Sequence, residues 1–291
     1  MQRPSSTERP PAYRRLGLWV IGLLIAVAVA GTAILLPKDA RETSGAADTR
    51  SYKQHVRQSL FALLRPVKLT NCVIERFGEP HDGGYLMCAN LLGSVEAAYS
   101  YGISGYDQWG CDASRKLRIP LHEYDCFDRR EPACPGGDTH FHAECVGPAA
   151  SVIDGQPFDT VANQIARNGD AGKRLVLKID VEGAEWNVFL LAPDSVFERI
   201  DQLVVEFHGV DDDRFVAAVE TIKRFFHVAH VHFNNYSCDP QLAPFPAAAY
   251  EVLFVNKRLA VVDGSPGEWG PHATDAPNNP NAADCQVTGG K

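Results

Sequence analysis

The sequence lacks three motifs that would assign an activity directly. It has no G-x-x-x-x-G-K-[ST] loop, which excludes a P-loop nucleotide hydrolase. It has no G-x-S-x-G motif, which argues against a hydrolase with a nucleophilic serine. The absence of a C-x-x-C pair weakens the case for a cysteine-based metal site, although the chain has 8 Cys.

Positive charge is also scarce. The 291 residues include 28 Lys and Arg against 36 Asp and Glu, a formal net charge of −8. Residues 1–37 carry four Arg and one Glu, so the rest of the chain carries a net charge of −11. Nucleic-acid binding needs clustered basic side chains that neutralise phosphates. We therefore expect no nucleic acid as a partner.

One long apolar run lies near the N-terminus. Residues 16–36 carry no charge, and as a helix they would span roughly 30 Å, the thickness of a bilayer core. The alternative is a cleaved signal peptide, with Arg14-Arg15 before the run and a cleavage site at residues 28–30. The run continues past that site to Leu36, which favours a retained anchor. We expect a single-pass membrane protein with a cytoplasmic N-terminus.

The cysteines all follow this run, and their even number is compatible with disulfides in a lumenal, periplasmic or extracellular compartment. Eight cysteines allow too many pairings for the sequence to choose one. Composition divides the chain further, because residues 37–50 are small and polar and the last thirty residues are poor in apolar side chains. The predicted organisation is an N-terminal tail (1–15), an anchor (16–36), a linker (37–50), a folded domain (51–260) and a disordered tail (261–291).

Within the folded domain, strand-like and helix-like stretches alternate, which predicts an α/β fold with a mostly parallel sheet. The last two strands are separated by a Pro-rich loop and could form an antiparallel addition at one edge. The predicted strands are 95–101, 121–124, 139–143, 175–179, 203–207, 228–233 and 250–256.

Polar residues follow the first two of these strands, where ligands of open α/β sheets bind. Gly102, Ser104 and Gly105 form a turn whose backbone could approach a nucleotide-like ligand, although an ordinary strand-to-helix turn explains the glycines equally well. Asp125 ends the next strand, where an acidic side chain can accept ribose hydroxyls. The alternative for Asp125 is a solvated residue.

The most specific stretch is residues 177–186, LKIDVEGAEW, in which an apolar strand leads directly into Asp180 and Glu182. At the carboxyl edge of the sheet these carboxylates could act as a base or hold a divalent cation. A helix start also favours acidic residues, which would account for Glu182 but not for Asp180. His208 and His232 close two later strands and are candidate general bases, since free imidazole titrates at about pH 6.5.

The strings RFGEPHDGGYLMC, YSYGISGYDQWGCD, YDCFD, LKIDVEGAEW, VVEFH and HVHFNN, in this order, resemble FkbM-type and related methyltransferase-like domain proteins that use S-adenosylmethionine. The resemblance covers roughly residues 55–257. It implies a Rossmann-like methyltransferase fold, with Gly102, Ser104 and Gly105 in the cofactor turn and Asp125 on the ribose. It also implies a reaction centre at Asp180 and Glu182. The turn departs from the fuller D/E-x-G-x-G-x-G pattern, because only two of its glycines are present.

The function that follows is membrane-anchored methylation of a hydroxyl on a small molecule or glycan, with His208 or His232 as base or with a divalent metal. Two alternatives stay open. A type II membrane glycosyltransferase would use Asp211-Asp212-Asp213 as a metal motif, although these residues also suit a helix start. A catalytically inactive binding protein with the methyltransferase fold is the other.

Overall fold

The computed structural model describes residues 38–267 and 269–287, with residues 38–48 described as backbone. By its contacts the chain divides into two units, Met1–Ser44 and Gly45–Lys291, and the sheet and the candidate site belong to the second. The described helices are α1 (Lys38–Leu63), α2 (Gln108–Leu117), α3 (Val161–Arg167), α4 (Glu185–Leu191), α5 (Asp194–Phe197) and α6 (Asp213–Lys223). The described strands are β1 (Val67–Leu69), β2 (Ile74–Gly78), β3 (Gly84–Cys88), β4 (Ala97–Tyr101), β5 (Pro120–Tyr124), β6 (Asp138–His142), β7 (Cys145–Val146), β8 (Ser151–Ile153), β9 (Gln156–Asp159), β10 (Leu175–Ile179), β11 (Ile200–His208), β12 (Phe226–Phe233), β13 (Ala249–Asn256) and β14 (Val262–Pro266).

A mostly parallel sheet of seven strands forms the centre of this described part, in the order β12-β13-β11-β10-β4-β5-β6. The strands β6, β5, β4, β10 and β11 pair in parallel, and β13 is antiparallel to both of its neighbours. The predicted α/β class, the mostly parallel sheet and the antiparallel addition at one edge are therefore confirmed.

Both faces of the sheet are covered, which explains why the central strands are buried along their whole length. Helices α1, α3, α4 and α6 pack on one face around Trp186, Phe207 and Phe226. Helix α2 and the β2–β3 hairpin pack on the other face around Trp109 and Tyr85. Strands β5 and β6 lie on one side of β4 in the sheet, and β10 and β11 lie on its other side. The order of strands thus reverses between β4 and β10, and their carboxyl ends form a crevice of the kind that binds ligands.

All eight cysteines are paired, which confirms the prediction of disulfides. Such pairing is typical of proteins that fold in an oxidising compartment. The four disulfides are Cys72–Cys88, Cys111–Cys134, Cys126–Cys145 and Cys238–Cys285.

The predicted membrane localisation needs correction. The apolar run at residues 16–36 lies outside the described residues. In the part of the chain that the structure describes, no helix combines the length and the apolar character needed to cross a bilayer. The 26-residue α1 is long enough, but its sequence carries many charges, beginning with Lys38 and Asp39. This finding contradicts the predicted localisation as a single-pass membrane protein.

Two segments differ from their expected form. The expected linker at 37–50 lies almost entirely within α1, because its Ala, Arg and Glu residues are good helix formers. The expected disordered tail from residue 261 contains β14, which pairs with β1, and the tail continues to residue 287 in contact with the sheet. Its Gly- and Pro-rich composition gives it no core of its own, so its hydrogen bonds to the domain replace one.

Candidate functional site

The turn after β4 is built around Gly102 at the point where the strand order reverses. Gly102 donates its backbone N–H to the carbonyl of Tyr124, and Asp180 donates its own to the carbonyl of Tyr101. Gly102 has a φ of 75°, and a Cβ there would lie 1.6 Å from the carbonyl oxygen of Asp180. Only glycine fits this position, so its first role is to let the ends of β4 and β10 approach each other.

Asp125 lies on the other side of the same turn and holds it in shape. Its Oδ2 accepts the backbone N–H of Ser104 at 2.8 Å, and its Oδ1 accepts those of Phe127 and Asp128 at 2.9 Å. A carboxylate offers about four acceptor positions, so one remains for a ligand. Ser104 and Gly105 both have positive φ, and Asp107 caps α2 directly after them. The structure therefore brings together Gly102, Ser104, Gly105 and Asp125.

Asp180, Glu182 and His208 form what we call the acid–histidine cluster. The His208 Nε2 lies 3.9 Å from Asp180 Oδ1 and 3.7 Å from Glu182 Oε2. In the described residues, this is the one group of three or more His, Cys, Asp or Glu whose ligand atoms all lie within 4.8 Å of one another. The Glu182 side chain is 73% exposed, so the cluster opens to solvent on that side.

Glu185 fixes the orientation of His208. Its side chain is fully buried, and Oε1 accepts the backbone N–H of His208 at 2.8 Å and lies 3.3 Å from the ring Nδ1. The other oxygen accepts the N–H of Gly183 at 2.9 Å. This geometry assigns the proton to Nδ1 and turns Nε2 toward the cluster. Burial alone would lower the pKa of His208, but the hydrogen bond to Glu185 and the charges of Glu206 and Asp180 outweigh it and raise the pKa to about 9.

Three further residues, Tyr85, Lys178 and Glu206, contribute to the site. The Tyr85 hydroxyl lies 3.3 Å from both Asp180 Oδ2 and Glu206 Oε2. Lys178 Nζ donates to the Gly102 carbonyl at 3.1 Å and lies 3.7 Å from Asp180 Oδ2. Burial, with Asp180 and Glu251 close by, raises the pKa of Glu206 well above its usual range. A lysine inside the apolar run LVLKI is a signal that could have found Lys178, whereas nothing local marks Tyr85.

His232 lies apart from His208. Strand β13 separates β12 from β11, so the two histidines lie on strands roughly 10 Å apart. His232 is buried, with Nδ1 3.4 Å from Glu251 Oε2 and Nε2 3.4 Å from Asp284 Oδ1. Burial by itself lowers its pKa, but the hydrogen bond to Glu251 and neighbouring acids raise it to about 9. The structure thus joins His208, and not His232, to Asp180.

The acidic triplet considered for a glycosyltransferase serves other purposes. Asp211 pairs with Arg57 and Lys53, and Asp212 caps α6 by accepting the N–H of Arg214 at 2.9 Å. The alternative interpretation as a helix start is confirmed.

No protein-family model matches the chain, and no curated protein matches its sequence. Among solved structures, the methyltransferase FkbM from Methylobacillus flagellatus KT is similar over 55% of this chain, with 12% identity and a TM-score of 0.37. The match spans 44% of that protein's own length.

Proposed function

We propose that the chain is an S-adenosylmethionine-dependent methyltransferase that acts on a hydroxyl group of a small molecule or a glycan. The observation that carries the proposal is the placement of Asp125 and Asp180 on either side of Gly102, with His208 held beside Asp180. A cofactor and an acceptor that meet at this edge would be in reach of both groups.

The residues at this edge fit a cationic nucleoside. Asp125, Asp180, Glu182 and Glu185 outnumber the nearby cations Lys178 and His208, so the site favours a ligand of positive charge such as a sulfonium. Asp125 has an acceptor position left for a ribose hydroxyl. Gly102, Ser104, Gly105 and Asp125 would hold the cofactor. When bound, S-adenosylmethionine supplies a methyl group, whose bond to sulfur breaks as a bond to the acceptor oxygen forms.

The remaining task of the protein is to orient the acceptor and take up its hydroxyl proton. His208 Nε2 and Asp180 Oδ1 face the same space, and Glu185 keeps the imidazole in one orientation. Because the pKa of His208 is raised to about 9, its imidazole acts as a base only in the neutral fraction, which grows as the pH approaches 9. Asp180 can serve there as a proton acceptor or as a ligand of a divalent ion that lowers the pKa of the hydroxyl. In both cases the proton of the acceptor hydroxyl would pass to solvent on the side of the exposed Glu182.

The test combines binding and turnover. Calorimetry with the full chain should show S-adenosylmethionine binding that Asp125→Asn weakens roughly 10-fold or more. A radiolabelled methyl-transfer screen over hydroxylated acceptors should show activity that His208→Ala lowers by about 10² to 10⁴. Asp154→Asn and His55→Asn, at exposed positions away from the site, should leave both readouts unchanged.

Two outcomes would count against the proposal. Failure of the folded wild-type chain to bind S-adenosylmethionine at millimolar concentration would overturn it. Binding without transfer to any acceptor would instead favour the catalytically inactive binding protein.

A further inference from the structure

We infer that the acid–histidine cluster is a divalent cation site and that it receives the acceptor as a neutral vicinal diol. Asp180 Oδ1, Glu182 Oε2 and His208 Nε2 are the ligands. The metal site stands on its own geometry, whereas the identity of the acceptor rests on the proposed function.

Two of the ligands are held through the atom that does not face the cluster. Glu185 holds His208 through Nδ1, which leaves Nε2 facing the cluster, where a metal ion displaces the Nε2 proton on binding. Tyr85 and Lys178 hold Asp180 through Oδ2, which leaves Oδ1 toward His208. Metal-binding histidines and carboxylates are typically oriented by such outer partners.

The spacing of the ligand atoms suits a small octahedral ion. Ligand atoms next to each other on such an ion lie about 3 Å apart, given metal–oxygen distances of about 2.1 Å. Here the separations from His208 Nε2 are 3.7 and 3.9 Å. The exposed Glu182 side chain can close its part of the difference with a small movement, and Asp180 Oδ1 and His208 Nε2 would have to approach each other by about 0.9 Å on binding.

The balance of charge also calls for a cation. Three carboxylates meet here, on Asp180, Glu182 and Glu185, against Lys178, and His208 binds a metal ion as the neutral imidazole. Glu185 is buried, so water screens its charge poorly. A divalent ion would offset this excess of negative charge.

Oxygen ligands together with one imidazole favour Mn²⁺ over softer metals, with Mg²⁺ as a competitor. Glu206 lies 4.0 Å from His208 Nε2 but stays outside the ligand set, because Asn234 already donates to its Oε1 at 2.7 Å and Tyr85 lies against Oε2.

Three protein ligands leave about three positions of an octahedral ion open, all on the solvent side near Glu182. Two adjacent hydroxyl oxygens can occupy two of them, which fixes the orientation of the reacting oxygen. With the ion bound, the charges of Asp180, Glu182 and Glu185 are balanced by the ion and Lys178, so a phosphorylated or carboxylated acceptor gains no net electrostatic attraction over a neutral one. A neutral vicinal diol, as on a sugar ring, therefore suits the site better than an isolated hydroxyl.

The metal site is tested by titrating Mn²⁺ into the full chain, followed by electron paramagnetic resonance. We expect one bound Mn²⁺ per chain, which Mg²⁺ displaces. Asp180→Asn and His208→Ala should weaken binding at least 10-fold, and Glu185→Gln should weaken it about 10- to 100-fold. Asp154→Asn and His55→Asn should bind like the wild type.

Circular dichroism checks the fold of each variant. If Asp180→Asn does not fold, the Mn²⁺ affinity of Glu182→Gln is measured in its place, because the side chain of Glu182 is exposed. Wild-type affinity in the folded Glu182→Gln and His208→Ala variants would overturn the site, as would the absence of Mn²⁺ binding by the wild type. If the chain binds S-adenosylmethionine but not Mn²⁺, the metal site is wrong and the proposed function still stands. If it binds Mn²⁺ but not S-adenosylmethionine, the proposed function is wrong, and so is the assignment of a diol as the methyl acceptor.

The acceptor class is tested by the relaxation of ligand protons near bound Mn²⁺. We expect cis-1,2-cyclohexanediol to show a relaxation enhancement several times that of cyclohexanol, and His208→Ala to abolish the difference. Equal relaxation enhancement for the two probes would contradict the proposal that the acceptor is a vicinal diol.

Discussion

At the scale of single residues, Glu123 is unusual because it is an acidic side chain buried without a hydrogen-bond partner among the residues described. It lies on β5 beside Ser100 of β4, fully buried, and neither carboxylate oxygen has a hydrogen-bond partner among the residues described. Burial, with the nearby charges of Asp107 and Glu131, raises the pKa of Glu123 to about 8. The native chain therefore keeps a proton on this side chain at neutral pH, which the unfolded chain does not.

This difference predicts a dependence of stability on pH. The stabilisation by protonated Glu123 is fully present below its unfolded pKa, near 4.5, and is lost as the pH rises through about 8. Glu123→Gln removes the titrating group, so the variant should gain stability relative to the wild type between pH 5 and pH 8.5. Urea unfolding at both pH values measures the gain, with the exposed Glu220→Gln as control. An equal difference at the two pH values would contradict the assignment.

At the scale of elements, sequence periodicity predicted the central strands well because burial on both faces leaves a continuous apolar run. The run 175–179 coincides with β10, and Asp180 follows it as expected. Short strands such as β7 and β14 carry no such signal. The contacts of Tyr85 with Asp180 and Glu206 join residues 95 and 121 positions apart, and no local pattern encodes them. The position of the candidate site at the carboxyl ends of the strands was therefore predictable from the sequence. The side chains that contact Asp180 from distant parts of the chain, such as Tyr85, were not.

Substitution of Gly102 tests the close approach of β4 and β10. Alanine at a left-handed position costs roughly 1–2 kcal/mol, and at Gly102 its Cβ must also displace the carbonyl of Asp180. Gly83 has a φ of 82°, and a Cβ added there would meet no atom within 4 Å, so Gly83→Ala isolates the backbone cost. We expect the free energy of unfolding to fall further for Gly102→Ala than for Gly83→Ala. Equal losses in urea unfolding would show that the close approach to Asp180 is unimportant.

At the scale of the whole molecule, the C-terminal segment at residues 269–287 is attached to the domain at several points. Asn278 donates to Glu251 Oε1 at 2.6 Å, Asn235 donates to the Asn279 carbonyl at 3.0 Å, and His230 lies 3.0 Å from Asp275. The disulfide Cys238–Cys285 adds a covalent attachment near its end. Each of these contacts joins the segment to β12, to β13 or to the loop between them, so the segment covers that edge of the sheet as part of the fold.

Removing the Cys238–Cys285 disulfide should release this segment selectively. The bridge spans 47 residues, and loss of such a loop constraint costs about 4 kcal/mol of unfolding free energy. The double variant Cys238→Ser, Cys285→Ser should unfold at lower urea concentration and show faster amide hydrogen exchange at residues 275–285. Cys72→Ser with Cys88→Ser, which opens a bridge spanning 16 residues, should lose about 3 kcal/mol and leave exchange in that segment unchanged. Because noncovalent contacts hold the segment as well, faster exchange should stay short of the rate of an unfolded chain. Unchanged exchange in the first variant would mean that the hydrogen bonds of Asn278 and Asn235 hold the segment without the disulfide.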